Sequence, residues 1–378
     1  MNYKKILAGI FTLSIILNSS AVSAEKKIVI NSASKILSLY EDDKKIAIYP
    51  LGLGKVSTPT PTGYYKIRTK EKNPPWINPS NGYTIPSGPN NPLGYRWMQI
   101  QGNYGIHGTN KPDSIGHYVS NGCIRMLEKN VEELFDKVSV GTPVEITYNR
   151  VVVEKIDDGN VVYYIYPDGY RRQSLNADKV NRWLALYGVS AFESDEEIAK
   201  KIKRSDGKPT FIGKPYDVEV DGAVVPETEQ NGRKFSAKAV VKDEVSYLPA
   251  VPIAMTLKAK LEWHPETSTL KTSHGEVKGY NLKRQLYLNA DDANNLFGLS
   301  GGLADGKIFK LSTGKISELP TPTPEVKPAP EKTEIETETI VIDETKTEPE
   351  PETKNYTTPS TDGEVLETVV IEEVVGEK

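Results

Sequence analysis

The chain has 378 residues, a formal net charge of -4 at pH 7 and a single cysteine, Cys123. This length exceeds that of one ordinary domain, so two or three folded units with tails are expected. One cysteine excludes an intramolecular disulfide, which leaves an inert buried thiol, an intermolecular link or a reactive group as the role of Cys123.

The N-terminus has the three parts of a secretory signal peptide. Lys4 and Lys5 are positively charged, an apolar run follows over Ile6–Leu17, and Val22-Ser23-Ala24 supplies the small residues of a cleavage site. A membrane anchor is the alternative, but a spanning helix needs about 20 apolar residues and this run is shorter. We therefore predict a signal peptide over residues 1–24, with export to the cell envelope (periplasm or cell wall) or secretion.

Residues 25–148 are predicted to form a mainly β domain. Turn residues such as Asp42-Asp43 separate short runs that are rich in β-formers. A loop dense in Pro, Asn and Gly spans Asn73–Gly94, and long loops inside compact domains are often functional. The predicted strands are Lys27–Ile30, Ile36–Tyr40, Lys45–Tyr49, Tyr64–Ile67 and Val144–Ile146.

One helix is predicted in this domain. Asn130 is typical of an N-cap, with Glu133 three residues later as its capping partner. Gly141 and Pro143 end the pattern. The apolar residues at helical spacing are Val131, Leu134, Phe135 and Val138.

The chain changes in character after residue 148. A small α+β extension is predicted over 149–213, with a hairpin followed by helices at Asp178–Tyr187 and Asp195–Arg204. A second α+β module is predicted over 214–312, with a helix near Val251–Ala259.

The last segment, 313–378, is rich in Pro, Glu and Thr and is predicted to be a disordered acidic tail, because it has too little apolar content to offset the entropy of ordering. Residues 318–378 carry 17 acidic residues and 5 lysines, a net charge of -12, which leaves +8 on the remainder. That mildly basic body favours an anionic surface such as a cell envelope.

A histidine and the only cysteine stand in glycine-framed segments. His107 lies in Gly105-Ile106-His107-Gly108, and Cys123 follows Gly122 sixteen residues later. A thiol becomes nucleophilic as a thiolate, and an imidazole can accept its proton. Backbone N–H groups of Gly122 and Cys123 can bind a developing oxyanion. From the residues alone, a Cys-His catalytic pair is favoured, and a buried inert thiol stays open.

A zinc site is poorly supported. His107 and His117 are the only histidines near Cys123, whereas structural zinc takes four ligands. We predict no metal.

The ordered motifs of residues 26–147 resemble the L,D-transpeptidase family with its YkuD-type catalytic domain. This resemblance implies a β-sandwich-like catalytic domain with the cysteine on a loop under a lid. The motifs are Thr58-Pro59-Thr60-Pro61-Thr62-Gly63, Asn91-Pro92-Leu93-Gly94, Gly105-Ile106-His107-Gly108-Thr109-Asn110, Ser120-Asn121-Gly122-Cys123-Ile124-Arg125-Met126 and Gly141-Thr142-Pro143-Val144.

The resemblance also implies roles for single residues. Cys123 would be the nucleophile and His107 the general base. Many family members have a histidine where this chain has Asn121, so no essential role is expected for that side chain. The substrate and oxyanion pocket would be formed by Gly122, Ser120, Asn121, Arg125, Gly108 and Thr109.

The implied reaction is acyl transfer in peptidoglycan. The thiolate attacks a stem tetrapeptide, the terminal D-alanine leaves, and a neighbouring stem amine takes the acyl group to give a 3→3 cross-link. The expected partners are stem peptides, the cell wall surface and carbapenem β-lactams as covalent inhibitors, with no cofactor and no nucleic acid. An L,D-carboxypeptidase or other hydrolase with the same site and a non-catalytic envelope-binding protein are the alternatives.

A weaker resemblance concerns the second module. Val245–Pro249, Ala259–Trp263 and Ser268–Lys271 are similar to the copper amine oxidase N-terminal-like domain of exported proteins, which implies no copper.

Overall fold

The computed structural model describes residues 25–78, 80–230 and 232–314. The predicted signal peptide and nearly all of the predicted acidic tail lie outside these residues. Within them the chain is mainly β, as predicted. None of the helices in these ranges is long and apolar enough to cross a membrane.

Residues 25–148, as far as the structure describes them, contain thirteen strands and one α-helix. Helix α1 spans Glu128–Lys137, and a 3-10 helix spans Pro112–Ser114. The strands are β1 Lys26–Asn31, β2 Ile36–Glu41, β3 Lys44–Pro50, β4 Leu53–Gly54, β5 Gly63–Lys66, β6 Thr69–Lys72, β7 Trp76–Ile77, β8 Thr84–Ile85, β9 Arg96–Gln101, β10 Tyr104–His107, β11 Tyr118–Ser120, β12 Ile124–Arg125 and β13 Pro143–Thr147.

Two sheets and α1 share one core in this region. The first sheet has the strand order β3-β2-β1-β13-β5, and the second has β12-β10-β9-β6. Alternate residues of the strands point inward, as a half-buried sheet requires. Ile28 and Ile30 of β1, together with Met98 of β9 and Ile106 of β10, are fully buried in the same cluster. The predicted sandwich-like arrangement is therefore present.

The start of α1 differs from the prediction. The helix begins at Glu128 after Leu127, and no side chain caps it, so Asn130 lies inside the helix rather than at its N-cap. Glu133 forms an ion pair with Lys137 instead of a capping box. Long-range contacts determine this start, because the Glu128 carboxylate accepts two backbone N–H groups from outside the helix. The apolar face was predicted correctly, and its buried residues are Val131, Leu134 and Phe135.

The extension has a hairpin and two helices at the predicted places. Strands β14 (Val151–Lys155) and β15 (Val161–Ile165) are followed by α2 (Ala177–Ala185), a 3-10 helix (Ser190–Phe192) and α3 (Asp195–Arg204).

The module that follows is α+β. Its helices are α4 (Ala250–Leu257), near the predicted position, and α5 (Ala293–Phe297), with a 3-10 helix at Ala290–Asp292. Its strands are β16 Thr210–Val220, β17 Ala223–Val224, β18 Thr228–Gln230, β19 Arg233–Phe235, β20 Ala239–Lys242, β21 Val245–Pro249, β22 Glu262–His264, β23 Thr269–Lys271, β24 Glu276–Leu282, β25 Gln285–Asn289, β26 Ser300–Ala304 and β27 Ile308–Ser312.

Contacts divide the described chain into two compact units. The first contains residues 25–154, 162–183 and 195–211, and the second contains 155–161, 184–194 and 212–314. Most of the extension therefore belongs to the first unit. The second unit has its own core, which includes the fully buried Leu248, Val251 and Ile253. The predicted domain boundaries stay predictions.

Candidate active site

The register of three strands puts His107 and Arg125 on one face of the second sheet. Strand β10 pairs with β12 in parallel, so that Ile106 is opposite Ile124 and His107 is opposite Arg125. Ile106 and Ile124 are fully buried in the core. Because successive side chains of a strand point to opposite faces, His107 and Arg125 project away from that core.

Cys123 lies at the same place, at the end of the loop between β11 and β12. Arg125 follows two residues later, and its positive charge lowers the pKa of the Cys123 thiol. The Cys123 Sγ donates a hydrogen bond to the carbonyl of Asn103, with 3.4 Å between the heavy atoms. A backbone hydrogen bond from Gly105, two residues before His107, also reaches the thiol. The predicted nucleophile therefore lies next to β10, the strand that carries the predicted base, and the charge of Arg125 acts on both.

An aromatic wall stands beside His107. Trp97 of β9 is opposite His107 in the antiparallel pairing, and the two ring centroids are 5.7 Å apart. A Cβ on Gly105 would come within 2.6 Å of the Trp97 ring, so glycine is needed for the indole to lie there. His107 is only 3% exposed as a result.

The geometry determines the tautomer of His107. Its Nδ1 lies 2.6 Å from the carbonyl oxygen of Gly108. A carbonyl can only accept, so Nδ1 carries the proton and Nε2 is left as the proton acceptor. Burial, helped by the positive charge of Arg125 and opposed by the Gly108 hydrogen bond, lowers the pKa of His107 from 6.5 to about 4. The imidazole is therefore neutral near pH 7.

Cys123 is also neutral at rest. Burial raises the pKa of its thiol, while the Gly105 backbone hydrogen bond and the charge of Arg125 lower it by less. A neutral thiol and a neutral imidazole are the starting state that general-base catalysis by a Cys-His pair would require, since the proton then moves as the sulfur attacks.

Ser120 organises the loop that carries the cysteine. Its Oγ donates to the carbonyl of Cys123 at 2.6 Å and accepts the N–H of Gly122 at 3.1 Å. Gly122 has φ +115°, and a Cβ there would meet the Tyr104 ring at 2.3 Å. The Gly122 N–H is thus already engaged, whereas the Cys123 N–H has no acceptor within the described ranges.

Two side chains support the site without having been assigned a role from the sequence. Thr60 is fully buried, and its Oγ1 donates to the carbonyl of Gly122 at 3.0 Å. Glu128 accepts the N–H of Thr109 at 2.6 Å and that of Tyr95 at 3.0 Å. Thr60 belongs to the Thr58–Gly63 motif, which was a signal for importance but not for this contact. Glu128 follows the cysteine motif and carries no local signal.

Glycine makes room for that carboxylate. A Cβ on Gly108 would lie 1.9 Å from Oε1 of Glu128, and one on Gly94 would lie 1.7 Å from it. The Glu128 carboxylate consequently lies directly behind the His107–Thr109 segment and holds it. Gly108 and Thr109 therefore contribute through their backbone, the first to His107 and the second to Glu128.

The remaining predicted residues differ in placement. Arg125 lies beside both Cys123 and His107, and its Nε is a buried donor with no acceptor in the described part of the chain. The Asn121 and His117 side chains are exposed. No group of three or more His, Cys, Asp or Glu side chains among residues 25–78, 80–230 and 232–314 could hold a metal ion.

Comparison with known proteins identifies the family. A family model described as the L,D-transpeptidase catalytic domain matches residues 25–146. The chain is 35% identical over 147 residues to the putative L,D-transpeptidase YqjB of Bacillus subtilis, a match that covers 37% of this chain and 81% of that protein. It is 34% identical over 210 residues to the probable L,D-transpeptidase ErfK/SrfK of Escherichia coli, covering 50% of this chain and 68% of that protein.

Among solved structures, the chain is similar to L,D-transpeptidase 3 from Mycobacterium tuberculosis in complex with a faropenem-derived adduct. That likeness has 18% identity and a TM-score of 0.29, and it covers 33% of this chain and 60% of the other. The two curated relatives, each more than 30% identical and covered over more than two thirds of its length, decide the question. The chain belongs to the L,D-transpeptidase family.

Proposed function

We propose that the protein is a peptidoglycan L,D-transpeptidase that forms 3→3 cross-links through an acyl-enzyme on Cys123. The observation that carries the proposal is the state of His107. Burial lowers its pKa to about 4, so it is neutral near pH 7, and its Nδ1 donates to the carbonyl of Gly108, which leaves Nε2 as the proton acceptor. Arg125, opposite His107 in the strand pairing, follows Cys123 by two residues and acts on the pKa of both.

In the first half-reaction the Cys123 thiol gives its proton to Nε2 of His107 as sulfur attacks the carbonyl of the third residue of a stem tetrapeptide. A carbon–sulfur bond forms, the carbon–nitrogen bond to the terminal D-alanine breaks, and the leaving amine takes the proton from His107. In the second half-reaction the amine of a neighbouring stem attacks the thioester. His107 accepts the amine proton and returns a proton to the thiolate as it leaves.

The negative oxygen that develops in each step needs a hydrogen-bond donor. The Cys123 N–H is the donor that our proposal assigns, because the Gly122 N–H already bonds to Ser120 Oγ. An oxyanion donor that is rigidly held contributes most when it needs no rearrangement during the reaction. The hydrogen bond from Ser120 to the carbonyl of Cys123 supplies such rigidity.

Arg125 is assigned to substrate binding. Its buried Nε donor has no acceptor among the described residues, and a guanidinium binds a carboxylate in a planar, two-pronged contact. Stem peptides end in carboxylates, so Arg125 is suited to hold one beside the cysteine. The N-terminal pattern of residues 1–24 supports export, which would place this chemistry at the peptidoglycan.

The test is incubation of the purified protein with disaccharide tetrapeptides, followed by mass spectrometry. Cross-linked dimers with loss of D-alanine are expected. Tripeptides alone would support the L,D-carboxypeptidase instead, because water would then be the acceptor.

The nucleophile is tested separately by substitution. Cys123→Ala is expected to abolish turnover and the covalent adduct with a carbapenem, because it removes the only thiol in the chain. The variant should keep the circular dichroism and melting behaviour of the wild type. Dimers or an adduct formed by a folded Cys123→Ala protein would refute the assignment, and a wild-type protein that binds peptidoglycan without turning it over would favour the envelope-binding alternative.

A further inference from the structure

A tyrosine of the extension reaches the base of the cysteine loop. Tyr170 lies between β15 and α2 and is 5% exposed. Its hydroxyl donates to the carbonyl of Gly54 at 2.8 Å and accepts the N–H of Thr60 at 3.3 Å. The two backbone groups that it joins lie about 110 residues earlier in the chain and within the same compact unit.

The backbone around Tyr170 is itself firmly held. The Tyr148 hydroxyl donates to Oδ1 of Asp168 at 2.6 Å and accepts the N–H of Tyr170 at 2.9 Å. Asp168 also accepts the N–H groups of Arg172 and Gln173, each at 2.9 Å. These bonds fix the turn and therefore the direction in which the Tyr170 ring points.

The ring of Tyr170 is enclosed on two sides. Its centroid lies 4.5 Å from that of Tyr118 and 5.3 Å from that of Tyr148. Gly169 allows this approach, because a Cβ there would meet the Tyr118 ring at 2.2 Å. The Tyr118 hydroxyl donates elsewhere, to the carbonyl of Ser32 at 2.8 Å. Tyr118 and Tyr170 therefore pack against each other, but their hydroxyl groups have different hydrogen-bond partners.

From the Tyr170 hydroxyl a short chain of hydrogen bonds leads to the cysteine. Tyr170 accepts the N–H of Thr60, the Thr60 hydroxyl donates to the carbonyl of Gly122, and the next residue is Cys123. Gly54 turns this chain into a closed set of hydrogen bonds, because its N–H donates to Thr60 Oγ1 at 3.0 Å while its carbonyl accepts from the Tyr170 hydroxyl. The residues of this closed set of hydrogen bonds are tightly packed, since a Cβ on Gly54 would lie 2.9 Å from the Cα of Gly122.

We propose that Tyr170 is a positioning residue for the nucleophile, which acts through Thr60 on the Gly122 carbonyl and so fixes the orientation of Cys123. This inference rests on the proposed function of Cys123 as the attacking group. It makes the extension part of the catalytic machinery rather than an appendage. Packing of the tyrosine rings alone would suffice to anchor the extension. The Tyr170 hydroxyl, in contrast, makes its two hydrogen bonds to Gly54 and Thr60, the residues that hold the cysteine loop.

The test compares Tyr170→Phe with Tyr118→Phe in the full chain. Each variant removes one hydroxyl from the same pair of packed, tilted rings. Only Tyr170→Phe loses hydrogen bonds to Thr60 and Gly54. A nucleophile misplaced by about 1 Å can lose on the order of 10²-fold in rate. We expect Tyr170→Phe to lower the second-order rate of carbapenem acylation at Cys123, and kcat for dimer formation, by about 10- to 100-fold. Tyr118→Phe should stay within about 2-fold of the wild type, even if both variants melt at a lower temperature.

Substitutions of Thr60 test the route. Thr60→Ser keeps the hydroxyl and should retain most of the rate, whereas Thr60→Val should lose about as much as Tyr170→Phe. The double variant Tyr170→Phe/Thr60→Val should lose little more than either single one, because both act on the same carbonyl. Independent, multiplying losses would overturn the route through Thr60. Equal rates for Tyr170→Phe, Tyr118→Phe and the wild type would overturn the proposal and leave Tyr170 as an anchor.

Failure of the proposed function gives a different result. If the wild type forms no acyl adduct, Cys123 is not a transpeptidase nucleophile. Alkylation of Cys123 by iodoacetamide across pH then still reads the orientation and surroundings of this single thiol. A changed rate or pH midpoint in Tyr170→Phe but not in Tyr118→Phe would support positioning without transpeptidation, and unchanged profiles in both would reject positioning as well.

Discussion

The low pKa of His107 predicts that mild acid destabilises the first compact unit. In the unfolded chain an imidazole takes up a proton with a pKa near 6.5, whereas the folded protein holds His107 neutral down to about pH 4. Protonation therefore favours the unfolded state in this window. The stability that the neutral His107 contributes to the folded state is therefore fully present above pH 6.5 and is lost as the pH falls toward 4.

The magnitude follows from the two pKa values. The full shift of about 2.5 units corresponds to about 3.4 kcal/mol at 1.36 kcal/mol per unit. Between pH 7 and pH 4.5 the loss due to His107 is about 2.4 kcal/mol, since part of the shift lies below pH 4.5. That is a large fraction of the stability of an ordinary domain.

The assay compares the wild type with His107→Asn, in which the side chain stays neutral at every pH. Hydrogen exchange of the β9 and β10 amides, measured for both proteins at the same pH, reports the opening free energy of this unit without interference from the rest of the chain. The carboxylates that titrate below pH 5 are common to both proteins and cancel in the difference. His117→Gln, which removes an exposed imidazole, is the matched control and should follow the wild type.

The expected outcome is that His107→Asn loses about 2 kcal/mol less than the wild type between pH 7 and pH 4.5. Direct NMR titration of His107 should give a midpoint near 4, and the acid limb of acylation should lie there rather than near 6.5. Parallel losses in the two proteins, or a midpoint at 6.5, would refute the claim that burial keeps this imidazole neutral.

Three further predictions concern the site and its boundaries. His107→Ala should lower the acylation rate by at least the ~10²-fold typical of a lost general base. His117→Ala should have little effect. Comparable losses in the two variants, both still folded, would show that the base was misassigned. Gly122→Ala should lower the stability by roughly 1–3 kcal/mol through backbone strain at positive φ, and should abolish nearly all acylation. Gly116→Ala, at φ +86° with open space around it, should lose stability to strain but keep its activity. Thermal melting and carbapenem labelling of both variants check these two expectations. A chain limited to residues 25–213 should still be acylated by a carbapenem, because it keeps the candidate site. Its melting temperature should be lower, because residues 184–194 lose the rest of the second unit, to which they belong. A folded truncated protein that resists acylation would show that later residues complete the site.

Much of the architecture was predictable because it depends on local patterns. Alternation placed β1, β2 and β3 within one or two residues, and helical spacing identified the buried face of α1. The Cys-His pair could be proposed from the sequence because both residues are rare in this chain, with one cysteine and four histidines, and both stand beside glycine.

The supporting contacts were not predictable, since they join residues far apart in sequence. The Thr60–Gly122 bond spans 62 residues and the Tyr170–Gly54 bond spans 116. Asn130 satisfied the local rule for an N-cap, yet tertiary hydrogen bonds to Glu128 set the start of the helix earlier. A local signal describes what a residue can do, and the fold decides which competing partner it obtains.

The electrostatics of the candidate site restrict how the proposed proton transfer from Cys123 to His107 can occur. Burial raises the pKa of Cys123 and lowers that of His107, so it opposes charge on both members of the pair. Arg125 lowers both pKa values, which favours the thiolate and disfavours the imidazolium of the proposed mechanism. Proton transfer from one to the other therefore cannot rely on a pre-formed ion pair. In the proposed mechanism the transfer depends on geometry, because the imidazole has to present Nε2 and the loop has to aim the sulfur. A substrate anion bound at Arg125 would offset the charge that opposes the imidazolium. This is why removal of one hydroxyl at Tyr170, which changes no charge in the site, is expected to affect the rate through geometry alone.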